Sequence, residues 1–236
     1  MIGLSTGAWA QVISNLPGVD SLTIVEINPG YLSLVDKYKA TSSLLRNPRV
    51  HIVIDDGRRW LSRNPGRRFD VIVMNTTFHW RAHTTNLLSK EFVQLAHNHL
   101  RPGGIFHYNT TGSRDALKTG LSSFPYGMRL LNFVTVSDSP IHWDTPGFRS
   151  VLADFSIDGQ KIFDLSRKDD SLKLDQLSRL GDEPNSSGWS GVESRSHALS
   201  RLNASVLVTD DNMVPEWKST PFSGFPTDNQ FPLIRE

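Results

Sequence analysis

The chain contains no cysteine. That absence excludes a disulfide scaffold, a thiol nucleophile, a Cys-ligated zinc and an iron–sulfur cluster, and it fits a reducing compartment. An excess of charge of one sign is also missing, since 25 Lys and Arg face 24 Asp and Glu for a net of +1. Such a chain carries no broad basic field to gather a phosphate backbone, so no nucleic-acid partner is expected. The apolar runs, such as Val71-Ile72-Val73-Met74, are all far shorter than the ~20 residues of a membrane-spanning helix. Met1-Ile2-Gly3 opens with neither a basic nor an apolar leader region. These absences lead to the expectation of a cytoplasmic protein with no membrane segment. What is present is an ordinary globular composition, 38% hydrophobic and 21% charged over 236 residues, enough for one large domain or one domain with an appendage.

The first half alternates short β-branched runs with amphipathic stretches, the pattern of βαβ units with a parallel sheet and helices on both faces. Strands are expected at Leu22–Glu26, Val50–Ile54, Phe69–Met74 and Gly104–Tyr108. Helices are expected at Ala8–Asn15, Gly30–Leu45 with a break near Tyr38–Ser42, Arg58–Ser62 and Lys90–Leu100. Arg101-Pro102-Gly103-Gly104 stops the last of these and turns the chain into a strand. Beyond Gly112 the pattern predicts a helix over Asp115–Ser122 and two strand-like runs, Met128–Val136 and Ser150–Ile157, closing the sheet with an antiparallel edge. A short helix near Ser171–Leu180, a helical Val192–Leu202 and a last strand at Val206–Val208 follow. The division expected is a core over 1–160, a C-terminal extension packing on it over 161–214 and an irregular tail over 215–236. Only Met1 and Ile2 precede Gly3, so either the first strand is very short or the chain is a shortened form of a longer one.

Three groups fall at the carboxyl ends of successive strands, where open α/β sheets bind ligands. Gly3-Leu4-Ser5-Thr6-Gly7 joins a strand stub to a helix. Glycines there permit a tight turn and close approach of a ligand, or make a sharp turn and nothing more. Glu26 ends the next strand about 20 residues later, where an acid in a nucleotide-binding βαβ unit accepts hydrogen bonds from the ribose hydroxyls. Its plainer reading is an exposed strand-end carboxylate. Asp55-Asp56-Gly57 ends the third, where an acid accepts from the exocyclic amine of adenine, or caps the helix that follows.

The series Gly3–Gly7, Val25-Glu26-Ile27-Asn28, Asp55-Asp56-Gly57, Phe69-Asp70-Val71-Ile72-Val73 and Leu100-Arg101-Pro102-Gly103-Gly104 resembles class I S-adenosylmethionine-dependent transferases. Within them it is most similar to a divergent branch of the spermidine synthase (aminopropyltransferase) family. The resemblance covers Ile2 to Tyr108 closely. It implies an α/β, Rossmann-like class I SAM-methyltransferase fold with a mostly parallel seven-stranded sheet, without the N-terminal β domain of spermidine synthases. It further implies S-adenosylmethionine or decarboxylated S-adenosylmethionine as donor, no metal, and a small-molecule acceptor such as a polyamine. A homodimer is the assembly common among related enzymes. Gly3, Thr6, Gly7, Glu26, Asp55, Asp56, Gly57, Asn75 and Arg81 become the donor-binding set, with Glu26 on ribose and Asp56 on adenine.

Two departures bear on the chemistry. The family reads G-G-G-D-G-G in the first loop, its Asp helping to hold the donor amine, where this chain has Thr6. After the fourth strand the family reads D-S-S-D-P, where the first Asp deprotonates the attacking amine and the second binds polyamine. Asn75 and Phe78 stand there. An amide cannot act as a general base, and a phenyl ring cannot pair with an ammonium as a carboxylate does. The segment Asn75-Thr76-Thr77-Phe78-His79-Trp80-Arg81-Ala82-His83-Thr84-Thr85-Asn86 instead carries two histidines, an arginine and a tryptophan. Asn75, His79 and His83 are the candidate catalytic residues, with either histidine a base near neutral pH. Arg81 suits a carboxylate such as that of methionine, and Trp80 suits stacking on a substrate. The alternative is that the loop only satisfies its own backbone and packs Trp80.

Other readings are weaker. His79 and His83 suit two metal ligands only if the stretch is helical, and no third ligand is identifiable. His97 and His99 read as surface residues, and Arg58, Arg59, Arg67 and Arg68 as a solvated basic face. Asn109-Thr110-Thr111-Gly112 either borders the pocket or caps a helix, and Asp210 and Asp211 either line the acceptor side or form a solvated turn.

Overall fold

The computed structural model describes residues 1–75, 79, 82–179 and 192–217. In chain order these form α1 (Ala8–Asn15), β1 (Leu22–Glu26), α2 (Gly30–Lys37), β2 (Val50–Ile54), α3 (Gly57–Arg63), β3 (Phe69–Met74), α4 (Lys90–Asn98), β4 (Leu100–Asn109) and α5 (Arg114–Ser123). Then come β5 (Tyr126–Leu130), β6 (Phe133–Ser137), α6 (Thr145–Asp154), β7 (Ser156–Ile157), β8 (Gln160–Lys161), α7 (Lys168–Ser178), β9 (Val192–Ser194), α8 (Arg195–Ser200) and α9 (Val214–Trp217). Short 3-10 turns occupy Ser42–Arg46 and Thr84–Leu87.

The strands lie in the order β2-β1, then β3-β4-β6-β5-β9, and a single residue joins the two groups. Ile2 bridges Val25 of β1 and Met74 of β3, both in parallel. Its amide donates to the Val73 carbonyl (2.8 Å) and its carbonyl accepts from Asn75 (3.2 Å). β1 and β2 pair in parallel, as do β3 and β4, whereas β6, β5 and β9 pair antiparallel. The expected sheet had seven strands. Among the described residues it holds seven named strands and the Ile2 bridge, the extra member being β9.

Apolar side chains pack on both faces, as buried parallel strands require. On one side Ile72, Met74, Phe106 and Tyr108 of the sheet meet Phe92, Val93 and Ala96 of α4 and Leu117 and Leu121 of α5. The helical spacing of Phe92, Val93 and Ala96 turns one face of α4 inward, and the Ser89 hydroxyl caps its start by accepting the Phe92 amide. The buried Tyr108 hydroxyl is satisfied by the Ala116 carbonyl (2.9 Å). On the other side Leu4, Ala10, Ile24, Val35 and Leu44 close the space beneath α1 and α2. His107, between Phe106 and Tyr108, points away from α4 and α5, stacks on Phe133 and lies near Trp9.

Four expectations about the second half are corrected. Met128–Val136 is a hairpin, β5 and β6 turning at Leu131-Asn132, where Leu131 has φ +54. Ser150–Ile157 is not a sheet strand: Asp144 caps α6 through the Gly147 amide and Pro146 sits in its first turn, so helix runs to Asp154. Only Ser156–Ile157 is extended, in a two-residue pairing with Gln160–Lys161. Val192–Leu202 divides at Ser194, whose side chain caps α8 while Val192–Ser194 pairs with β5. Val206–Val208 is not a strand because its amides bond to side chains of α5, Val206 to Asp115 (2.8 Å) and Val208 to Thr119 (2.8 Å).

Candidate functional site

The glycine turn sits on the carboxyl end of the Ile2 bridge, and its geometry needs glycine at both ends. Gly3 has φ +87, and a Cβ there would lie 2.7 Å from the Asn75 carbonyl oxygen, so any side chain would force two strand ends apart. Gly7 has φ +83 and stands at the start of α1, where a Cβ would press on Val35 at 3.0 Å. Between them Ser5 and Thr6 are exposed.

Glu26 is not an exposed strand-end acid, being only 4% exposed. Its Oε2 accepts the Leu4 amide at 2.6 Å and lies 3.4 Å from the Ser5 nitrogen, while Oε1 accepts the Asn28 amide at 2.8 Å. The acid therefore braces the glycine turn from below. Its two oxygens offer about four lone-pair sites, so hydroxyl donors can still be accommodated beside these amides.

At the next strand end the Asp55 amide donates to the Glu26 carbonyl (3.1 Å), which sets the third acid beside the second. The Asp55 carboxylate pairs with Arg59, whose hydrogen bond holds it below the usual carboxylate range. Asp56 Oδ1 accepts the Arg59 amide at 2.8 Å and caps α3. Of the two readings left open for these acids, capping is realised by Asp56, and its Oδ2 has no hydrogen bond to the described residues. Gly57 lets α3 lie against the central bridge, where a Cβ would meet Ile2 at 2.6 Å.

On the far side of the bridge the ends of β3 and β4 are tied together. Asn109 Nδ2 donates to Asn75 Oδ1 (3.2 Å), and Asn109 Oδ1 accepts the Thr111 backbone amide (2.7 Å). The His79 amide donates to Thr111 Oγ1 (2.8 Å), and His79 Nδ1 lies 2.9 Å from the Thr111 carbonyl oxygen. Nδ1 lies equally close to Thr111 Oγ1 (2.9 Å), and the tautomer with the proton on Nδ1 satisfies the carbonyl and leaves Nε2 as the open acceptor. His83 is exposed with φ +65, a backbone that interrupts any helix joining it to His79. Among the described residues no group of three His, Cys, Asp or Glu could hold a metal ion. Trp80 and Arg81 lie outside the described residues.

The acids and bases set aside as surface groups are partly corrected. Arg58 is no solvated cation: its guanidinium forms a two-pronged pair with Asp210 (2.8 and 2.5 Å), which raises the arginine above its ordinary value and lowers the aspartate. Asp210 thus straps the C-terminal segment to α3 and does not form a free acidic wall. His99 is 2% exposed, with Nδ1 at 2.9 Å from the Arg67 carbonyl, so it belongs to the interior. His97 is partly exposed, pairs with Asp138 (2.5 Å) and packs edge-on against Phe124. Sequence reasoning missed Thr111 as the partner of His79. The only signal was its place at the end of a strand adjacent to Phe69–Met74.

A Rossmann-like sheet with a glycine turn, a buried acid at the next strand end and a helix-capping acid at the third defines the class I SAM-methyltransferase type of α/β domain. Within that class the chain is similar to spermidine synthases: residues 1–117 match the spermine/spermidine synthase domain family. A polyamine aminopropyltransferase of Mycobacterium tuberculosis is 31% identical over 109 residues, covering 44% of this chain and 21% of the relative. That of Sodalis glossinidius is 31% identical over 108 residues, covering 45% of this chain and 37% of the relative. The chain thus spans well under half the length of these curated relatives. Among solved structures, spermidine synthase from Thermotoga maritima superposes with a TM-score of 0.56 at 21% identity, covering 66% of this chain and 59% of that one. A spermidine synthase in complex with the transition-state analogue AdoDATO gives 0.54 at 21% identity, with coverage of 66% and 58%. These two likenesses establish the fold. No helix among the described residues is long and apolar enough to cross a membrane.

Proposed function

We propose that the carboxyl edge of this sheet binds the adenosine part of S-adenosylmethionine or its decarboxylated form, and that the chain is a transferase acting from that donor. The observation that carries this reading is the buried Glu26 carboxylate braced against Leu4 and Asn28, which keeps an acceptor of ribose hydroxyls fixed beside a glycine turn. Asp56 Oδ2 faces the adenine amine, and Gly3, Gly7, Asp55 and Gly57 shape the backbone around it. Thr6 and Arg81 take the amino-acid end of the donor. Relatives named as polyamine aminopropyltransferases, and a neighbour complexed with AdoDATO, support the choice of donor.

The acceptor chemistry departs from that of the family. Asn75 stands where the family keeps its aspartate base, and its amide is bonded to Asn109, so it orients and does not deprotonate. His79 is the base: Thr111 holds Nδ1–H and leaves Nε2 to take the proton of the nucleophile. The positively charged sulfur of such a donor needs alignment more than covalent assistance, so one histidine suffices in place of a carboxylate. His83, exposed and four residues on in the chain, is the second candidate.

Incubation with each donor and a panel of amines, followed by mass spectrometry, tests the reading. Methylthioadenosine as product identifies aminopropyl transfer and adenosylhomocysteine identifies methyl transfer. Donor that is bound but unchanged across the panel would leave a nucleoside-binding module and refute catalysis.

A further inference from the structure

Beside the candidate site, and outside it, lies a cleft of about 140 Å³ walled by Thr110, Gly112 and Ser113 on one side and by Leu131-Asn132 and α8 on the others. Three of its lining residues are arginines from three separate elements: Arg114 at the start of α5, Arg129 on β5 and Arg201 just past α8. No acidic residue is among its described lining residues. The apolar remainder, which includes Leu117, Ala198 and Leu202, forms a floor from which water is partly excluded.

The arginines are held from behind. Glu193, 6% exposed and outside the lining, accepts Arg129 Nη1 (3.0 Å), Arg201 Nε (2.9 Å) and Arg201 Nη2 (2.5 and 2.6 Å). Burial alone would raise the Glu193 carboxyl, but the bonds from Arg201 and Arg129 outweigh it and leave it below its ordinary value. Arg129 Nε is fixed on the Leu131 carbonyl (2.7 Å), and Arg114 Nη2 donates to the Arg201 carbonyl. These contacts leave Arg201 Nη1 and Arg114 Nε and Nη1 as donors. Asp115, next to Arg114, is turned to the Val206 amide and does not line the cleft. Two of the three guanidiniums, those of Arg201 and Arg114, thus keep donors in a partly apolar recess with no carboxylate among its described lining residues. Fixed forks of this kind match the geometry of carboxylates and phosphates.

We propose that this cleft is an oxyanion-binding site that takes a phosphate or carboxylate group. A volume of about 140 Å³ fits one such group with a short apolar stem and is well below the ~300–1,000 Å³ of a drug-sized ligand pocket. Thr110 and Gly112 of the wall flank Thr111, which holds His79, so the anion sits on the other side of the segment that orients the proposed base. Two sources can supply this chemistry: a free anion, or the acidic end of an acceptor.

Calorimetric titration of the intact chain with inorganic phosphate, at constant ionic strength in chloride buffer, tests the site. The expected result is saturable binding with a Kd in the millimolar range or tighter, weakened about tenfold or more by Arg114→Ala and by the near-isosteric Asn132→Asp. Lys161→Ala, which removes an exposed cation elsewhere, should leave it unchanged. Arg114 is exposed, so its variant remains informative if Asn132→Asp fails to fold. Absence of saturation by folded wild-type protein, or equal binding by Arg114→Ala, would overturn the proposal. A phosphate Kd that changes when the donor is bound assigns the site to an acceptor's acidic end, and an unchanged Kd assigns it to a free anion. Because phosphate is titrated without a donor, failure here is separable from failure of the transferase reading.

Discussion

The Glu26 carboxylate and the Leu4 amide stand 2.6 Å apart, so the acid that ends one strand holds the turn that follows its neighbour. This brace fixes the glycine turn before any ligand arrives, because the amides of Leu4 and Asn28 already have a buried acceptor. Glu26→Ala would leave the buried Leu4 amide unpaired, at a cost of about 1–3 kcal/mol in the limit, and free the more exposed Asn28 amide to water. The expected outcome is a lower urea midpoint than wild type. Glu26→Gln, which keeps one oxygen acceptor, should lie between the two. Equal midpoints for all three proteins would show that the brace contributes nothing to stability.

Gly3 is expected to be the least tolerant position of the turn. Alanine there adds a strained left-handed residue and sets a methyl group 2.7 Å from the Asn75 carbonyl. Backbone cannot yield as a side chain would, so Gly3→Ala should cost about 2–3 kcal/mol and move Asn75. Gly18→Ala, at φ +79 but with nothing within 4 Å of the added methyl, should cost only the backbone part. Denaturant melts of the two variants separate the terms.

Stability should also depend on pH through His107. Burial lowers this imidazole from 6.5 to about 4. The unfolded chain therefore binds a proton that the folded chain does not between those values, so the contribution is complete above pH 6.5 and is lost as pH falls toward 4. The shift corresponds to about 3 kcal/mol. His107→Gln, which can still meet Thr135 Oγ1, should flatten the stability profile over that interval. An unchanged slope would mean that other groups account for it.

Thr111 is a positioning residue for His79. Thr111→Val removes the hydroxyl that accepts the His79 amide and contacts Nδ1, and leaves only the Thr111 carbonyl at Nδ1. The expected result is a fall in kcat with little change in KM for donor, together with a shifted pH–rate profile. A change in KM alone would place Thr111 in donor binding.

Much of this arrangement was legible in the sequence, for local reasons. β1, β2 and β3 announce themselves by continuous apolar runs, and the break in the helix after Gly30 appears at Lys37, followed by the 3-10 turn. The pairing of Val206 and Val208 with α5 was not legible, because side chains 91 and 89 residues distant supply the acceptors. Neither was the Glu193 cluster, since Arg129 lies 64 residues away on another strand. α6 is different: Asp144-Thr145-Pro146 is a helix-start signal that the apolar character of the following run obscured. For the candidate site, Glu26 stood out by its position, whereas the burial that makes it a brace depends on the strand order. His79 stood out by chemistry, and the partner that holds its ring lies 32 residues on.

Calorimetric titration of S-adenosylmethionine and of decarboxylated S-adenosylmethionine into wild-type protein and Glu26→Gln tests the central assignment most directly. Saturable binding of at least one donor to the wild type, weakened tenfold or more in the folded variant, is the predicted result. Failure of folded wild-type protein to bind either donor at millimolar concentration, or identical affinity in the variant, would contradict it.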